Sequence, residues 1–241
     1  MRAERLGTAL IYLLILPGVI GLVSCAKPQQ PAVESPPQAA RPPAPEAPPS
    51  PADLPKPQPA ELEAKANSIF KGAVIVDNSH NPPFVVGDFN GDLSQDIAIV
   101  VKPIESRLDD LNHELSPWLR GDPLQAVLPK PQVVTKDKPA NERIRFLQTD
   151  TLLAVVHGYD ADGWRNPQAT QTYLLRNSVG SDLRMDLKKD IFALRKKGAK
   201  LPIVRGYVVR ETIGGEAGFL YYNGARYLWY DPKTFKGELA P

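Results

Sequence analysis

Short apolar runs separated by turn residues dominate the chain from residue 61 onwards, and this pattern predicts more strands than helices. The runs are rich in valine, isoleucine, leucine and tyrosine, which are typical of strands with a buried face. We predict strands at residues 73–77, 84–89, 96–101, 143–149, 151–158 and 171–178, and in both arms of 218–230.

Two segments have helical spacing instead. Residues 60–70 carry apolar side chains at helical intervals directly after a proline-rich stretch, which predicts a short helix. A second apolar stripe predicts an amphipathic helix that ends near Pro117, and its members are Ile104, Leu108, Leu111 and Leu115. Residues 117–139 have neither pattern and are predicted to form a loop.

Residues 181–198 fit both a helix and a strand. An apolar stripe with a capping residue at Ser181 or Asp182 and a stop at Gly198 favours a helix, whereas residues 183–188 alternate as a strand does. We favour the helix for this segment.

The last apolar segment, residues 218–230, predicts a hairpin. Asn223-Gly224 lies between two aromatic arms, and Asn-Gly supplies the positive φ angles of a two-residue type I′ turn. Such a turn pairs Leu220 with Tyr227, Gly218 with Trp229 and Tyr221 with Arg226, and one face of the hairpin is expected to be core.

Strands joined by hairpins, with a few short helices among them, predict an α+β fold with a predominantly antiparallel sheet. Residues 61–241 are long enough for one globular domain of this kind. A propeller would need its motif to recur roughly every 40 to 60 residues. No second full copy of a motif is present in the sequence, so a full propeller is not expected.

The first 24 residues have the pattern of an export signal. Arg2 and Arg5 precede an apolar stretch that Pro17 and Gly18 interrupt, and this stretch is too short for a good membrane span. The single cysteine follows directly, in the sequence Leu-Val-Ser-Cys that ends at Cys25. With no second thiol, a disulfide within the chain is excluded.

The residues around Cys25 resemble the lipobox of bacterial lipoproteins. The resemblance implies cleavage before Cys25, diacylglycerol on its thiol and acylation of the new amino terminus, and hence an anchor in the cell-envelope membrane. The alternative is a buried cysteine in an ordinary signal segment. Ala26 stands where an aspartate would favour retention at the inner membrane, so the outer membrane is the expected location.

Residues 25–60 are expected to be a disordered spacer behind the anchor. Residues 27–60 contain 13 of the 26 prolines of the chain and almost no large apolar side chains. An extended proline-rich segment of this length reaches on the order of 100 Å. The PxxP spacings within it leave open a role as a ligand for a proline-recognising partner.

Charge gives no sign of a nucleic-acid partner. Residues 61–241 contain 24 basic and 23 acidic residues, so no excess of positive charge favours nucleic acid or an anionic surface. The basic group Arg195-Lys196-Lys197 with Lys200 is expected to be a solvated helix end.

Residues 87–101 place oxygen-bearing side chains at every second position before an apolar run. On a straight strand the three carboxylates among them would repel each other, whereas a curled loop directs the same oxygens at one centre. Calcium takes about six to eight oxygen ligands, and the absence of His and Cys from the loop disfavours zinc and copper. The candidate ligands are Asp88, Asn90, Asp92, the main-chain oxygen of Ser94, and Asp96.

This segment resembles the FG-GAP or VCBS repeat, a calcium-binding hairpin loop, through its D-x-N-x-D-x-x-x-D-I pattern. The resemblance implies the same five ligands and a strand that begins after Asp96. It covers less than a tenth of the chain, and Leu93 stands where the family has glycine. We expect Leu93 either to change the bend of the loop or to lower its affinity. The alternative is a turn held only by hydrogen bonds from its Asp and Asn side chains.

Catalytic motifs are incomplete. His157 ends an apolar strand and Asp160 and Asp162 follow it, so an envelope hydrolase that uses His157 with one of these aspartates is the alternative function. A G-x-S-x-G elbow is missing, and His113-Glu114 lacks the second histidine of a zinc-protease motif. The leading expectation is a non-catalytic binding or structural module. Trp164 and the aromatic terminal hairpin are its expected exposed surface for an envelope protein or glycan.

Overall fold

A computed structural model describes residues 54–125 and 144–235 of the chain. Three α-helices lie in these ranges: α1 (Pro59–Phe70), α2 (Leu108–Asn112) and α3 (Lys188–Lys196). The strands are β1 (Val74–Val76), β2 (Phe84–Gly87), β3 (Asp96–Pro103), β4 (Leu119–Gly121), β5 (Leu152–Val156), β6 (Thr172–Leu175), β7 (Arg184–Asp186), β8 (Val208–Ile213), β9 (Glu216–Tyr222) and β10 (Tyr227–Tyr230). Two 3-10 turns, Glu105–Arg107 and Gly163–Arg165, complete the elements.

The strands form two sheets. The first has the order β1-β3-β5-β6-β4, and β2 also pairs with β3. Strands β1 and β2 lie end to end along one edge of β3, because they pair with its residues 101–103 and 96–99 respectively, while β5 pairs along the other edge. All pairs in this sheet are antiparallel except β4 with β6. The second sheet is antiparallel, in the order β10-β9-β8-β7.

The hydrophobic side chains are buried in three cores that separate four layers. The first core lies between α1 and one face of the first sheet, and includes Leu62, Phe70, Ile99 and Leu152. The second core lies between the two sheets, where alternate residues of β3 and β5 meet the inner face of β9. The third core lies between the outer face of the second sheet and Ile191 of α3. The layer order is therefore helix, sheet, sheet, helix.

The predicted α+β class, with antiparallel sheets and a few short helices in a single domain, is confirmed. Contacts between Cα atoms divide the chain at Pro45–Glu46, and all three cores lie in Glu46–Pro241. Helix α1 begins at Pro59, with Glu61 accepting a hydrogen bond from the Gln58 amide as part of a capping box. It ends at Phe70, and the next residue, Lys71, has a left-handed conformation.

Two sequence-based assignments are wrong. The helix expected to run from Ile104 to Pro117 is only a 3-10 turn followed by the five-residue α2, and Leu115 is 85% exposed. Only Leu111 of its apolar stripe is fully buried, so a longer helix would gain little stability from tertiary packing. Residues 144–149 do not form the expected strand: Asn112 holds this segment through hydrogen bonds to the amide and carbonyl of Phe146.

The ambiguous segment 181–198 contains both structures. Residues 184–186 form β7 and residues 188–196 form α3, so the helix begins at Lys188, after Leu187, and not at Ser181 or Asp182. Pairing with β8 stabilises the extended conformation of β7, which is an edge strand of the second sheet. Residues 119–121, expected to be loop, form β4 beside β6.

The terminal hairpin forms with a different register. Tyr222 pairs with Tyr227 and Leu220 with Trp229, so the turn is centred one residue later than predicted. The reason is the side chain of Asn223, whose Oδ1 accepts hydrogen bonds from the amides of Ala225 and Arg226. Both faces of the hairpin are covered, one by the first sheet and the other in the core beside α3.

The predicted signal peptide, Cys25 and almost all of the proline-rich spacer lie outside the described residues. Within residues 54–125 and 144–235, no helix has the length and apolar character to cross a membrane.

Candidate metal centre

The acidic loop lies at the tip of the β2–β3 hairpin, as predicted. Gly87 and Asp96 form the last pair of the ladder, and residues 88–95 curl between them. Asp88, Ser94 and Asp96 are buried, whereas Asp92 is exposed and Asn90 is partly exposed. One side of the loop therefore faces the domain and the other faces solvent.

Asp88 organises the first half of the loop. Its Oδ1 accepts hydrogen bonds from the amides of Gly91 and Asp92 at 2.7 and 3.0 Å, and its Oδ2 accepts from the amide of Leu93 at 3.1 Å. Burial raises the pKa of the Asp88 carboxyl group, while these amides act in the opposite direction. Asp88 thus closes the turn around its own side chain.

Asp96 is the most deeply buried carboxyl group of the loop, with no exposed surface. Its Oδ2 accepts from the amides of Phe89 and Asn90, and its Oδ1 accepts from the amide of Gly158 at 2.7 Å. Burial raises the pKa of Asp96 to about 8, with a further contribution from the neighbouring carboxylates. Burial therefore opposes ionisation of the Asp96 carboxyl group.

Leu93 adopts a backbone conformation that favours glycine. Its φ is 73°, in the left-handed region, and its side chain projects into solvent with 73% of its surface exposed. A non-glycine residue pays about 1 to 2 kcal/mol for this conformation. The loop accordingly bends at Leu93 although the residue there is not glycine.

Asn90 and Asp92, the candidate ligands on the solvent side, make hydrogen bonds that still leave acceptor sites free. Asp92 Oδ1 accepts from the Ser94 amide and its Oδ2 from the side-chain amide of Asn90. A carboxylate offers about four lone-pair sites, so two bonds to Asp92, and three each to Asp88 and Asp96, leave roughly one or two sites on each group. Because Asn90 and Asp92 reach solvent, their side chains can turn without disturbing the core.

The loop is wedged between two other segments of the domain. On one side, a Cβ atom at Gly91 would lie 2.4 Å from the carbonyl oxygen of Arg205, and one at Gly206 would lie 2.1 Å from that of Asp88. On the other side, a Cβ atom at Gly158 would lie 2.3 Å from the carbonyl oxygen of Gln95. No side chain fits at these glycines, so the three backbones approach as closely as atoms allow.

Hydrogen bonds join the same segments. The amide of Tyr207, just before β8, donates to the Asp88 carbonyl at 2.6 Å, and the Ser94 hydroxyl donates to the Asp160 carbonyl at 2.8 Å. Since Tyr207 leads into the second sheet and Asp160 follows β5 of the first, the loop connects the two sheets at one edge of their shared core.

Trp164 is not part of an exposed surface, and that expectation is wrong. Only 1% of its surface is accessible, because its indole Nε1 donates to the Gln95 side-chain oxygen and its amide donates to the Gln95 carbonyl. The guanidinium of Arg165 covers the ring at 4.4 Å. Trp164 therefore packs beneath the acidic loop and supports it.

His157 lies among tyrosines, and in the described part of the chain its ring nitrogens make no hydrogen bond to the aspartates proposed as its partners. Its Nε2 is 2.8 Å from the hydroxyl of Tyr227, and its ring lies 5.1 and 5.0 Å from those of Tyr173 and Tyr222. Burial lowers the pKa of His157 to about 4, and only 2% of its surface is exposed. A neutral, enclosed imidazole is poorly placed for proton exchange with a substrate.

The remaining candidates are also separate. Asp160 and Asp162 lie exposed in the loop after β5, and Asp160 contributes its backbone carbonyl to the acidic loop. His80 bridges the carbonyls of Pro82 and Gly180, and the His113 side chain accepts from the amide of Leu115. The structure thus brings together the five predicted calcium ligands in one loop but does not assemble His157 with Asp160 or Asp162.

The donor set fits calcium in its chemistry, since it consists of carboxylate, amide and carbonyl oxygens. Its side chains are turned towards backbone amides, and within residues 54–125 and 144–235 no three His, Cys, Asp or Glu side chains stand together as a preformed metal group. Calcium would be held by Asp88, Asn90, Asp92, Asp96 and the Ser94 carbonyl after the exposed side chains rotate.

The residues that pack against this loop from other parts of the chain could not be predicted from the sequence. Gly158, Trp164 and Gly206 are distant from the loop in the chain, and only the fold brings them to it. Comparisons of the chain with protein-family models, with curated proteins and with solved structures found no match.

Proposed function

We propose that this chain is a bacterial envelope lipoprotein whose exported domain is a non-catalytic binding or structural module, stabilised by one calcium ion in the β2–β3 loop. The anchor is lipid on Cys25, and the outer membrane is its favoured location. The observation that carries the calcium proposal is Leu93: the loop keeps the left-handed bend at φ 73° although the residue is unfavourable there. Such strain persists where the surrounding structure requires it.

Electrostatics supports the same role for calcium. Asp88 and Asp96 are buried, and burial raises the pKa of both groups, so ionising them together costs free energy. A divalent cation would offset this cost by binding the ionised carboxylates, and it would add its own bonds to the oxygens. Because the loop touches the segments that follow β5 and precede β8, an ion there would stabilise the junction of the two sheets.

The placement of the candidate acid/base residues supports a role without catalysis. His157 is enclosed by tyrosines and Asp160 faces solvent, so neither has the shared cleft that a hydrolytic pair requires. An envelope protein or glycan is the class of partner that fits an anchored module of this kind.

Thermal unfolding of the chain from Ala26 onwards tests the calcium proposal. At about 1 mM calcium and a Kd of about 0.1 mM, typical of extracellular sites, binding adds about 1.4 kcal/mol of stability. The expected rise in Tm is about 3 to 6 °C relative to chelator. Asp92→Asn should abolish most of this rise, and Asp109→Asn on α2, which removes an equal charge at an exposed site outside the loop, should not.

Titration calorimetry measures calcium binding directly and can refute the calcium proposal. If the chain takes up no calcium and chelator leaves its Tm unchanged, the loop is held by its hydrogen bonds alone and the calcium proposal is wrong. The anchor is tested separately with Cys25→Ser, which should leave unprocessed, unlipidated precursor in cells; normal maturation of that variant would contradict it.

A further inference from the structure

Charge is unevenly distributed over the domain. Residues 188–200 contain six basic residues and one acidic residue, whereas the rest of 61–241 contains 18 basic and 22 acidic residues. The near-neutral total therefore conceals a positive region on and after α3, and α3 is the outermost layer on one side of the fold. A concentrated region of one sign attracts the opposite charge.

The solvent side of α3 also carries an aromatic residue. Lys189, Phe192 and Lys196 follow one another at intervals of three and four residues, so they share a face of the helix. Phe192 is 56% exposed, and the Lys196 ammonium lies 4.9 Å from the centre of its ring. Ile191, on the opposite side, is the residue of α3 that is buried in the third core.

An open cleft of about 500 Å³ lies beside this face, and its lining residues are Leu187, Lys188, Lys189, Phe192 and Tyr207. The Lys188 ammonium is tied to the Arg205 carbonyl at 2.5 Å, which fixes one wall of the cleft. The cleft therefore offers an apolar floor within a rim of lysines.

We propose that this basic–aromatic face, defined by Lys188, Lys189, Phe192 and Lys196 with the adjoining cleft, docks on an anionic lipid surface. Its positive charge complements lipid phosphates, and an exposed ring among lysines is the composition of helices that lie in the interface of a membrane. A soluble polyanion would use the lysines but gains little from Phe192, so the ring favours lipid.

Such docking is a second membrane contact, made by the folded domain itself. It does not depend on the calcium proposal or on acylation of Cys25. It would hold the domain close to a bilayer instead of at the full reach of the preceding chain.

The test uses the unlipidated chain from Ala26 onwards, which contains the whole unit Glu46–Pro241, with chelator present throughout. It is sedimented with vesicles of phosphatidylcholine alone and with vesicles that also contain phosphatidylglycerol. We expect binding to the anionic vesicles only, weakened by salt. Since each basic residue near an anionic surface contributes about fivefold, Lys189→Gln with Lys196→Gln should weaken binding roughly 25-fold.

The matched control is Lys56→Gln with Arg145→Gln, which removes the same charge from exposed positions outside residues 188–200, and it should weaken binding less than about twofold. Phe192→Ser should weaken vesicle binding and leave binding to soluble dextran sulfate unchanged. Equal binding to both kinds of vesicle, no binding to either, or an equal loss in the control pair would overturn the proposal. So would vesicle binding by Phe192→Ser at the wild-type level, which would identify a general polyanion site.

Discussion

Replacing Gly91 with alanine should destabilise the domain far more than the same change two residues later. Gly91 has φ 83° and Leu93 has φ 73°, so both positions lie in the left-handed region. They differ in their surroundings, because a Cβ atom at Gly91 meets the backbone carbonyl of Arg205 at 2.4 Å, whereas the Leu93 side chain projects into solvent. Gly91→Ala therefore adds both backbone strain and a close contact, whereas Leu93→Ala adds neither.

The magnitude follows from two costs. A left-handed alanine costs about 1 to 2 kcal/mol. Relieving a 2.4 Å contact with backbone requires residues 205–206 to move, and overpacking of this kind costs about 1 to 3 kcal/mol. Gly91→Ala should therefore lose about 2 to 5 kcal/mol, or roughly 5 to 15 °C in Tm for a domain of this size. Leu93→Ala keeps the existing conformation and should stay within about 0.5 kcal/mol of the wild type.

Urea unfolding, followed by tryptophan fluorescence, measures both variants in chelator, so the comparison does not depend on any bound ion. Trp164 reports the loop directly, since it packs against Gln95. A Gly91→Ala protein that unfolds within about 0.5 kcal/mol of the wild type would refute the close packing of the loop on residues 205–206.

Two further changes test the groups around the loop. Tyr227→Phe removes the hydroxyl that pairs with His157 Nε2 and should cost about 1 to 3 kcal/mol in urea unfolding, because a buried nitrogen loses its partner; an unchanged stability would contradict that pairing. Burial lowers the pKa of His80, but hydrogen bonds to the carbonyls of Gly180 and Pro82 and the charges of Glu211 and Asp77 outweigh it and raise the pKa above 6.5. Protonated His80 therefore stabilises the fold fully below pH 6.5, and this stabilisation is lost as the pH rises through the raised pKa. His80→Gln should therefore lower Tm more at pH 5.5 than at pH 9, and a constant difference across this range would contradict the ionic role.

Apolar periodicity predicted the helices and strands correctly where one face of the element packs in a core. Helix α1, the β2–β3 hairpin and strands β5 and β6 follow their apolar periodicity, because their buried residues make up the first two cores. The same reasoning failed at Leu115, since an apolar stripe makes a helix only where another element covers it.

The acidic loop was visible from its spacing, whereas its supports were not. Asp88, Asn90, Asp92, Ser94 and Asp96 are close in sequence, so a single turn is enough to place them in one loop. Trp164 was expected to be exposed, but its partner Gln95 is 69 residues away, and no local pattern records that contact.

The amino-acid sequence was sufficient to predict the α+β class and the oxygen-rich turn, because both depend on the alternation and spacing of residues that are close in the chain. Whether a given apolar side chain is covered depends on which distant strand lies over it. Folding placed Gly158 and Gly206 against the turn, enclosed His157 among tyrosines, and left Phe192 in solvent. Those outcomes come from packing two sheets between two helices, where space is shared by segments that are far apart in the chain.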